Sequence, residues 1–304
     1  MAANRFSEQV RLLVEVLPHV AGGSCFALKG GTAINFFVRD LPRLSVDIDL
    51  AYLPVEDRDT SLAAIDSELA AIQASVGEKL PAVSVEPGVL RRTNKRIKLL
   101  ARRGETLVKI EVTPVLRGSV HPAETREATP RVQEQFGPVA AQTLGFDDLY
   151  GGKLVAALDR QHPRDLFDVG LLLRNEGIST RLKDTFLVYL LGHNRPMAEL
   201  LDPTQQPLEE SLLNEFAGMT EDPVGAEELA EVRVRLVETI QAALTDADRE
   251  FLLSVKRGEP DWGAFPYPQA RDLPAIRWKL HNLEQMSRKK RADATRKLEA
   301  ALHG

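Results

Sequence analysis

Between residues 5 and 17 the apolar side chains Phe6, Val10, Leu13, Val14 and Leu17 recur at intervals of three or four, the spacing of one helical face. This predicts an opening amphipathic helix. Cys25-Phe26-Ala27-Leu28 is a short apolar run leading into Gly30-Gly31, and predicts a buried strand that ends in a tight turn. A helix follows from Thr32 to about Arg39, with Thr32 as its N-cap. After Pro42 the period changes. Ser45-Val46-Asp47-Ile48-Asp49-Leu50 alternates polar and apolar, which predicts a half-buried strand with Asp47 and Asp49 on the same face.

Residues 59–76 return to helical spacing through Leu62, Ile65, Leu69 and Ile72. Three strand-like pieces follow at 82–85, 96–101 and 106–112, the last two flanking the hairpin signal Arg102-Arg103-Gly104-Glu105. In Val108-Lys109-Ile110-Glu111-Val112 the charged Lys109 and Glu111 share the face opposite the apolar residues. Residues 118–138 lack a clear period and read as loop with at most a short strand. From Phe146 onward the pattern is helical. Helices are expected at 147–159 and 164–174, separated by Gln161-His162-Pro163. Several more fill 180–253, a Pro-, Gly- and Trp-containing stretch covers 258–274, and one final helix runs from Pro274 to about Leu302. The pattern predicts an α/β domain over 1–140 and an all-helical region over 141–304.

Composition changes this picture little. The 304 residues are 43 % hydrophobic and 27 % charged, with net charge −5, an ordinary globular balance that excludes disordered, collagen-like and disulfide-scaffold classes. No apolar run approaches the ~20 residues of a membrane span, and no secretory h-region opens the chain. Cys25 is the single cysteine, so neither an intrachain disulfide nor zinc-ligand spacing is available. A cytoplasmic, reducing location is the expectation. The charge is uneven. Residues 91–103 hold seven basic residues and no acid, residues 197–250 have a net −11, and residues 271–304 a net +5. Such asymmetry suits a polyanionic partner, although solvated helical faces share it.

The candidate chemistry lies in an order of motifs: Gly30-Gly31-Thr32, then Asp47-x-Asp49, then Glu111 on a later strand. A glycine turn opening a helix presents backbone N–H groups and a positive dipole end to phosphate. Two carboxylates one strand-step apart supply oxygen ligands for a divalent cation, and a third could complete a site of the kind that serves phosphoryl transfer. An Asp-x-Asp on an exposed strand is commonly only solvated, and a Gly-Gly turn commonly only a turn. Their succession is the informative feature.

Phe26-Ala27-Leu28-Lys29-Gly30-Gly31-Thr32-Ala33 followed by Arg43-x-Ser45-x-Asp47-x-Asp49-Leu50 resembles the AbiEii/AbiGii toxin family, part of the DNA polymerase β-like nucleotidyltransferase superfamily and inclusive of the mycobacterial MenT toxins. The resemblance continues through Val108-Lys109-Ile110-Glu111, Lys153-Leu154-x-Ala156-Ala157-Leu158-x-Arg160 and Pro163-Arg164-Asp165-Leu166-Phe167-Asp168, and so spans about half the chain. One departure is Gly31-Thr32, where many superfamily members carry Gly-Ser; threonine keeps the hydroxyl but restricts its rotamer.

The resemblance implies a polymerase β-like mixed sheet flanked by helices, followed by a helical region that completes the nucleotide site and could bind the acceptor. It implies an Mg²⁺- or Mn²⁺-dependent nucleotidyltransferase, the toxin of a toxin–antitoxin pair. Such an enzyme transfers NMP from an NTP to an acceptor, here the tRNA 3′ end, so blocking aminoacylation and translation. Asp47, Asp49 and Glu111 would be the metal ligands and catalytic carboxylates, with Glu111 activating the acceptor hydroxyl. Gly30, Gly31, Thr32, Lys153, Arg160 and Asp165 would bind the nucleotide, with Lys153 a triphosphate ligand and, together with Asp168, part of the catalytic set. Asp165 and Asp168 would orient Lys153 or Arg160, or touch base or ribose; acids at a helix start also suit the macrodipole. Arg43 and Ser45 would pin the strand or touch phosphate.

Arg91, Arg92, Arg96 and Lys98 are RNA-contact candidates, with alternation placing Arg96, Lys98 and Arg102 on one face. The other reading of that run is a charged edge strand. Ser287-Arg288-Lys289-Lys290-Arg291 is a second basic run. His121, His162 and His193 have no metal or triad spacing and read as structural. Two other readings remain open: the same chemistry on a small molecule or protein hydroxyl, and a non-catalytic scaffold for a partner. A cognate antitoxin is an expected partner, and a membrane is not.

Overall fold

Three alternating stretches build the middle of a mixed sheet. In the computed structural model, which describes residues 2–20, 25–91 and 93–303, they are β2 (Asp47–Tyr52), β4 (Lys95–Arg103) and β5 (Thr106–Val112). One set of alternate side chains, Ile48, Leu50, Leu99, Ala101, Val108 and Ile110, is almost wholly removed from water. Helix α1 (Ala2–Val20) packs against β2 and β5, and α3 (Arg58–Lys79) against β4. Their buried residues include Val10, Leu13 and Leu17 of α1 and Leu62, Ile65 and Leu69 of α3, the positions that repeat at helical spacing. Burial of such side chains contributes roughly 1.5–3 kcal/mol each, and it leaves the other set of strand side chains free to be polar.

The sheet has seven strands in the order β3-β4-β5-β2-β1-β7-β6. The remaining strands are β1 (Phe26–Lys29), β3 (Ser84–Leu90), β6 (Glu124–Glu127) and β7 (Ala140–Thr143). β2 runs antiparallel to β1 and parallel to β5, while β1 runs parallel to β7. Helix α2 (Gly30–Phe37) follows β1 without a break.

Several details differ from the expectation. Helix α2 starts two residues before Thr32, so Thr32 is inside the first turn and Lys29 is the flanking residue. Residues 118–138 contain β6 and a helix, α4 (Pro130–Phe136). The helix escapes notice because it is one short turn pair with only Val132 buried. β7 escapes because Ala140-Ala141-Gln142-Thr143 has no large apolar residue; its place in the sheet comes from pairing with β1.

The chain divides into one unit of Met1–Leu149 with Ala217–Pro223, and another of Tyr150–Phe216 with Val224–Gly304. The division falls inside α5 (Phe146–Asp159) rather than at 140/141. The segment Ala217–Pro223 comes back to the first unit, where the Met219 carbonyl accepts the Leu44 N–H at 2.7 Å and Glu221 pairs with Arg131.

The second unit is helical. It holds the rest of α5, then α6 (Pro163–Asn175), α7 (Thr180–Gly192), α8 (Met197–Leu201), α9 (Glu209–Glu215), α10 (Ala226–Ala243), α11 (Asp246–Arg257), α12 (Pro274–Glu284) and α13 (Arg288–His303). The long terminal helix expected from Pro274 is thus two helices with a break before Arg288. Helix α10 packs on α6 and α7, and α13 on α8 and α11. No described helix is long and apolar enough to cross a membrane.

Candidate functional site

The polar side of β2 and β5 is set by their parallel register. Asp47 pairs with Lys109 and Asp49 with Glu111, so two acids on one strand face a lysine and an acid on the next. On the far side of β5, Lys98 of β4 pairs with Glu111, and on the far side of β2, Lys29 of β1 pairs with Asp49. One row across four strands therefore reads Lys29, Asp49, Glu111, Lys98. Asp47, Asp49, Lys109 and Glu111 are all half-buried. Glu111 comes beside Asp49 on that shared, partly exposed face, not in the core.

Lys109 is the residue that motif reading passes over. Its Nζ lies 2.9 Å from Glu111 Oε2. Partial burial by itself would lower the Lys109 pKa, but Glu111, Asp47 and Asp49 together hold it above the ordinary lysine value. The signal was present in the alternation that puts Lys109 and Glu111 on one face. This pairing also modifies the expectation of a gathered three-carboxylate site. Among the described residues no group of three His, Cys, Asp or Glu is assembled as a cation cage, and the Glu111 carboxylate is drawn toward Lys109. The donors themselves, three carboxylates on one face beside a glycine turn, fit a hard divalent cation in chemical kind.

The glycine turn is built tightly against these acids. Gly30 has φ +72°, and a Cβ placed on it would stand 2.7 Å from Asp49 Oδ2, so both its conformation and its lack of a side chain are required. A Cβ on Gly31 would stand 2.7 Å from the Arg43 guanidinium and 2.9 Å from Ser45 Oγ. Arg43 and Ser45 are buried, and they support the turn from beneath. The Thr32 hydroxyl lies 2.6 Å from the Asp47 carbonyl oxygen and 3.0 Å from Ser45 Oγ. It is buried and ties α2 to the start of β2. What the first turn of α2 can present to an anion is backbone N–H groups.

In the helical unit, Lys153 of α5 is 6 % exposed, with Nζ 2.8 Å from Asp165 Oδ1 and 3.1 Å from Asp168 Oδ2. Arg160 donates from Nε to Asp165 Oδ2 at 2.6 Å. Both aspartates belong to the first turns of α6 and are fully buried. Burial would raise the Asp165 pKa, yet Lys153 and then Arg160 pull it well below the usual carboxylate range. Arg160 keeps a largely exposed side chain. His162 N-caps α6 by accepting the Arg164 N–H at its Nδ1.

The basic run is less uniform than its sequence. Arg96 gives its backbone N–H and a guanidinium N–H to Asp66 of α3 at 2.9 and 3.0 Å, and Lys95 lies 3.5 Å from the same carboxylate. The β3–β4 register shifts at Gly88/Val89, so the strict alternation that would group Arg96 with Lys98 and Arg102 is broken. Arg103 pairs with Glu15 of α1. Arg91 and Arg102 are exposed and Lys98 half-buried, while Arg92 is outside the described residues. Ser287 Oγ accepts the Lys290 N–H at the start of α13.

Comparison with known proteins bears on this arrangement. The family model described as "Nucleotidyl transferase AbiEii toxin, Type IV TA system" matches residues 11–282. The structure is similar to that of MenT4, the nucleotidyltransferase toxin Rv2826c from Mycobacterium tuberculosis H37Rv, with TM-score 0.58 and 14 % sequence identity over 92 % of this chain and 93 % of that one. No curated protein matches the chain.

Proposed function

This chain belongs to the AbiEii family of nucleotidyltransferase toxins of type IV toxin–antitoxin systems, and we propose that it transfers a nucleoside monophosphate from an NTP to the 3′ end of tRNA. A toxin of such a system has an antitoxin counterpart, and a nucleotidyltransferase consumes a nucleotide. In the reaction the acceptor hydroxyl oxygen bonds to the α-phosphorus, the bond from that phosphorus to the α,β-bridging oxygen breaks, and pyrophosphate leaves with its electron pair. The hydroxyl proton must be taken up.

The observation that carries this reading is the register of Asp49 with Glu111, two residues after Asp47, with Asp49 packed against Gly30. Backbone N–H groups of Gly30, Gly31 and Thr32, in the first turn of α2, would hold the triphosphate. Asp47 and Asp49, with Glu111, would hold Mg²⁺ or Mn²⁺, which when bound offsets phosphate charge and steadies the leaving pyrophosphate. Glu111, whose Oε2 lies 2.9 Å from Lys109 Nζ, is the candidate acceptor for the hydroxyl proton. In the helical unit Lys153 and Arg160 are assigned to the nucleotide, with Asp165 and Asp168 holding Lys153 in place. Arg160, the more exposed of the two cations, is the one better able to reach a ligand.

Incubation with each labelled NTP, Mg²⁺ and total tRNA tests the proposal. Label should enter tRNA, and Asp49→Asn should cut transfer by more than the ~10–100-fold typical of losing a metal site's outer partners. Label in no RNA would refute the acceptor assignment. A second reading, transfer to a small-molecule or protein hydroxyl, gains from the engagement of Lys95, Arg96 and Arg103 in ion pairs, which leaves less free charge for a polynucleotide. Label in protein or small molecules from a cell extract, with none in RNA, would select it.

A further inference from the structure

The helical unit contains a cavity of about 270 Å³ between α8, the end of α11 and α13. None of its lining residues is among the catalytic, metal or nucleotide residues assigned above. Its walls are largely apolar, including Met197, Met286 and Leu298. Into this apolar lining the fold places Lys256, which is only 6 % exposed. Lys256 has no hydrogen bond or ion pair with any described residue, and burial alone lowers its pKa.

The end of α11 does not explain the lysine. The carbonyls of Ser254 and Val255 are satisfied by the N–H groups of Gly258 and Glu259, and that of Arg257 by Arg291. Nor do the acids of the cavity wall. Glu199 accepts from Arg195 at 3.1 Å, and Asp293 pairs with Arg296. A second, half-buried cation interacts with it. Lys279 donates to the carbonyls of His193 and Arg195, and its pKa is pushed down to about 8, first by burial and then by the charge of Lys256. The exposed Lys290 and Lys297 complete the wall. An ammonium without a protein partner, carried on a side chain buried among methionine and leucine, is unfavourable unless something supplies it with one.

We infer that this cavity binds a small organic anion, a carboxylate or phosphate head set on Lys256 with a short apolar body against Met197 and Leu298. The volume suits such a molecule: it exceeds the roughly 150 Å³ that accommodates benzene in an engineered cavity and is at the small end of ligand pockets. The inference is independent of the nucleotidyl-transfer reading, because none of its residues serves that reading.

Calorimetric titration of the full-length protein with hexanoate, hexyl phosphate, inorganic phosphate and hexanol tests it. One molecule of hexanoate or of hexyl phosphate should bind per chain and raise Tm, and whichever binds more tightly identifies the head group. Hexanol and inorganic phosphate should each bind at least tenfold more weakly than that ligand. Lys256→Met should weaken binding at least tenfold and raise the Tm of the ligand-free protein, so loss of binding is not loss of fold. Ala294→Leu, which fills the cavity and keeps the lysine, should abolish binding. The inference is overturned if neither amphiphilic anion binds, if Lys256→Met binds them unchanged, or if hexanol or inorganic phosphate binds equally well.

Discussion

At the residue scale, Gly30 and Asp49 are a single construction. Placing Ala at 30 imposes a left-handed conformation costing about 1–2 kcal/mol and drives a methyl group into the Asp49 carboxylate. Gly30→Ala should therefore remain folded with a slightly lowered Tm and lose nucleotidyl transfer; unchanged transfer would separate the turn from the chemistry. Asp165 behaves differently. It lies fully buried between Lys153 and Arg160, so Asp165→Asn should cost about 3–5 kcal/mol, the penalty for stranding a buried partner. Arg160→Gln, at the exposed end, should cost at most ~1 kcal/mol. Because the folded Asp165 carboxyl titrates below its ordinary 3.8, its stabilisation is fully present above that value and fades as pH falls below it. The stability gap between wild type and Asp165→Asn, read from urea midpoints, should be constant near neutrality and narrow in acid.

At the scale of elements, β4 shows how a strand's charge is spoken for by a helix. Asp66 of α3 takes both the Arg96 backbone N–H and its guanidinium, with Lys95 close by. Asp66→Ala should cost about 1–2 kcal/mol through the unmatched N–H and release two cations. Thermal unfolding reads the first effect; if the proposed RNA acceptor binds at this strand, a steeper salt dependence of that binding reads the second. Much of this level was legible in advance. The alternation from Asp47 to Leu50 in β2, the hairpin around Gly104 and the helices on both sides of Pro163 all carry their own local signals. The row of Asp49 beside Glu111 was legible only as two separate acidic strands, since a parallel register is made by distant chain segments and no local pattern encodes it. Lys109 was visible as Glu111's neighbour on a face, but its partners became clear only with that register. The grouping of Arg96 with Lys98 and Arg102 fails because the shift at Gly88/Val89 interrupts the alternation, and β7 went unread because backbone pairing, not side-chain hydrophobicity, holds it in the sheet.

At the scale of the molecule, the net charge of −5 conceals blocks of opposite sign, and ion pairing then thins the basic one. In residues 91–103 the described cations outside ion pairs are Arg91, Lys98 and Arg102. If these meet an RNA backbone, the slope of log K against log salt should be about −2 to −3, from roughly 0.7–0.9 per phosphate neutralised. A slope near zero would assign the run to sheet-edge protection instead.

The segment Ala217–Pro223 has a temporal consequence. Its Met219 carbonyl holds the Leu44 N–H three residues ahead of Asp47, so the backbone leading into the acidic strand gains that partner only once synthesis has passed Met219. A nascent chain released early, or stalled before Pro223, carries every carboxylate and glycine of the motif yet lacks that brace.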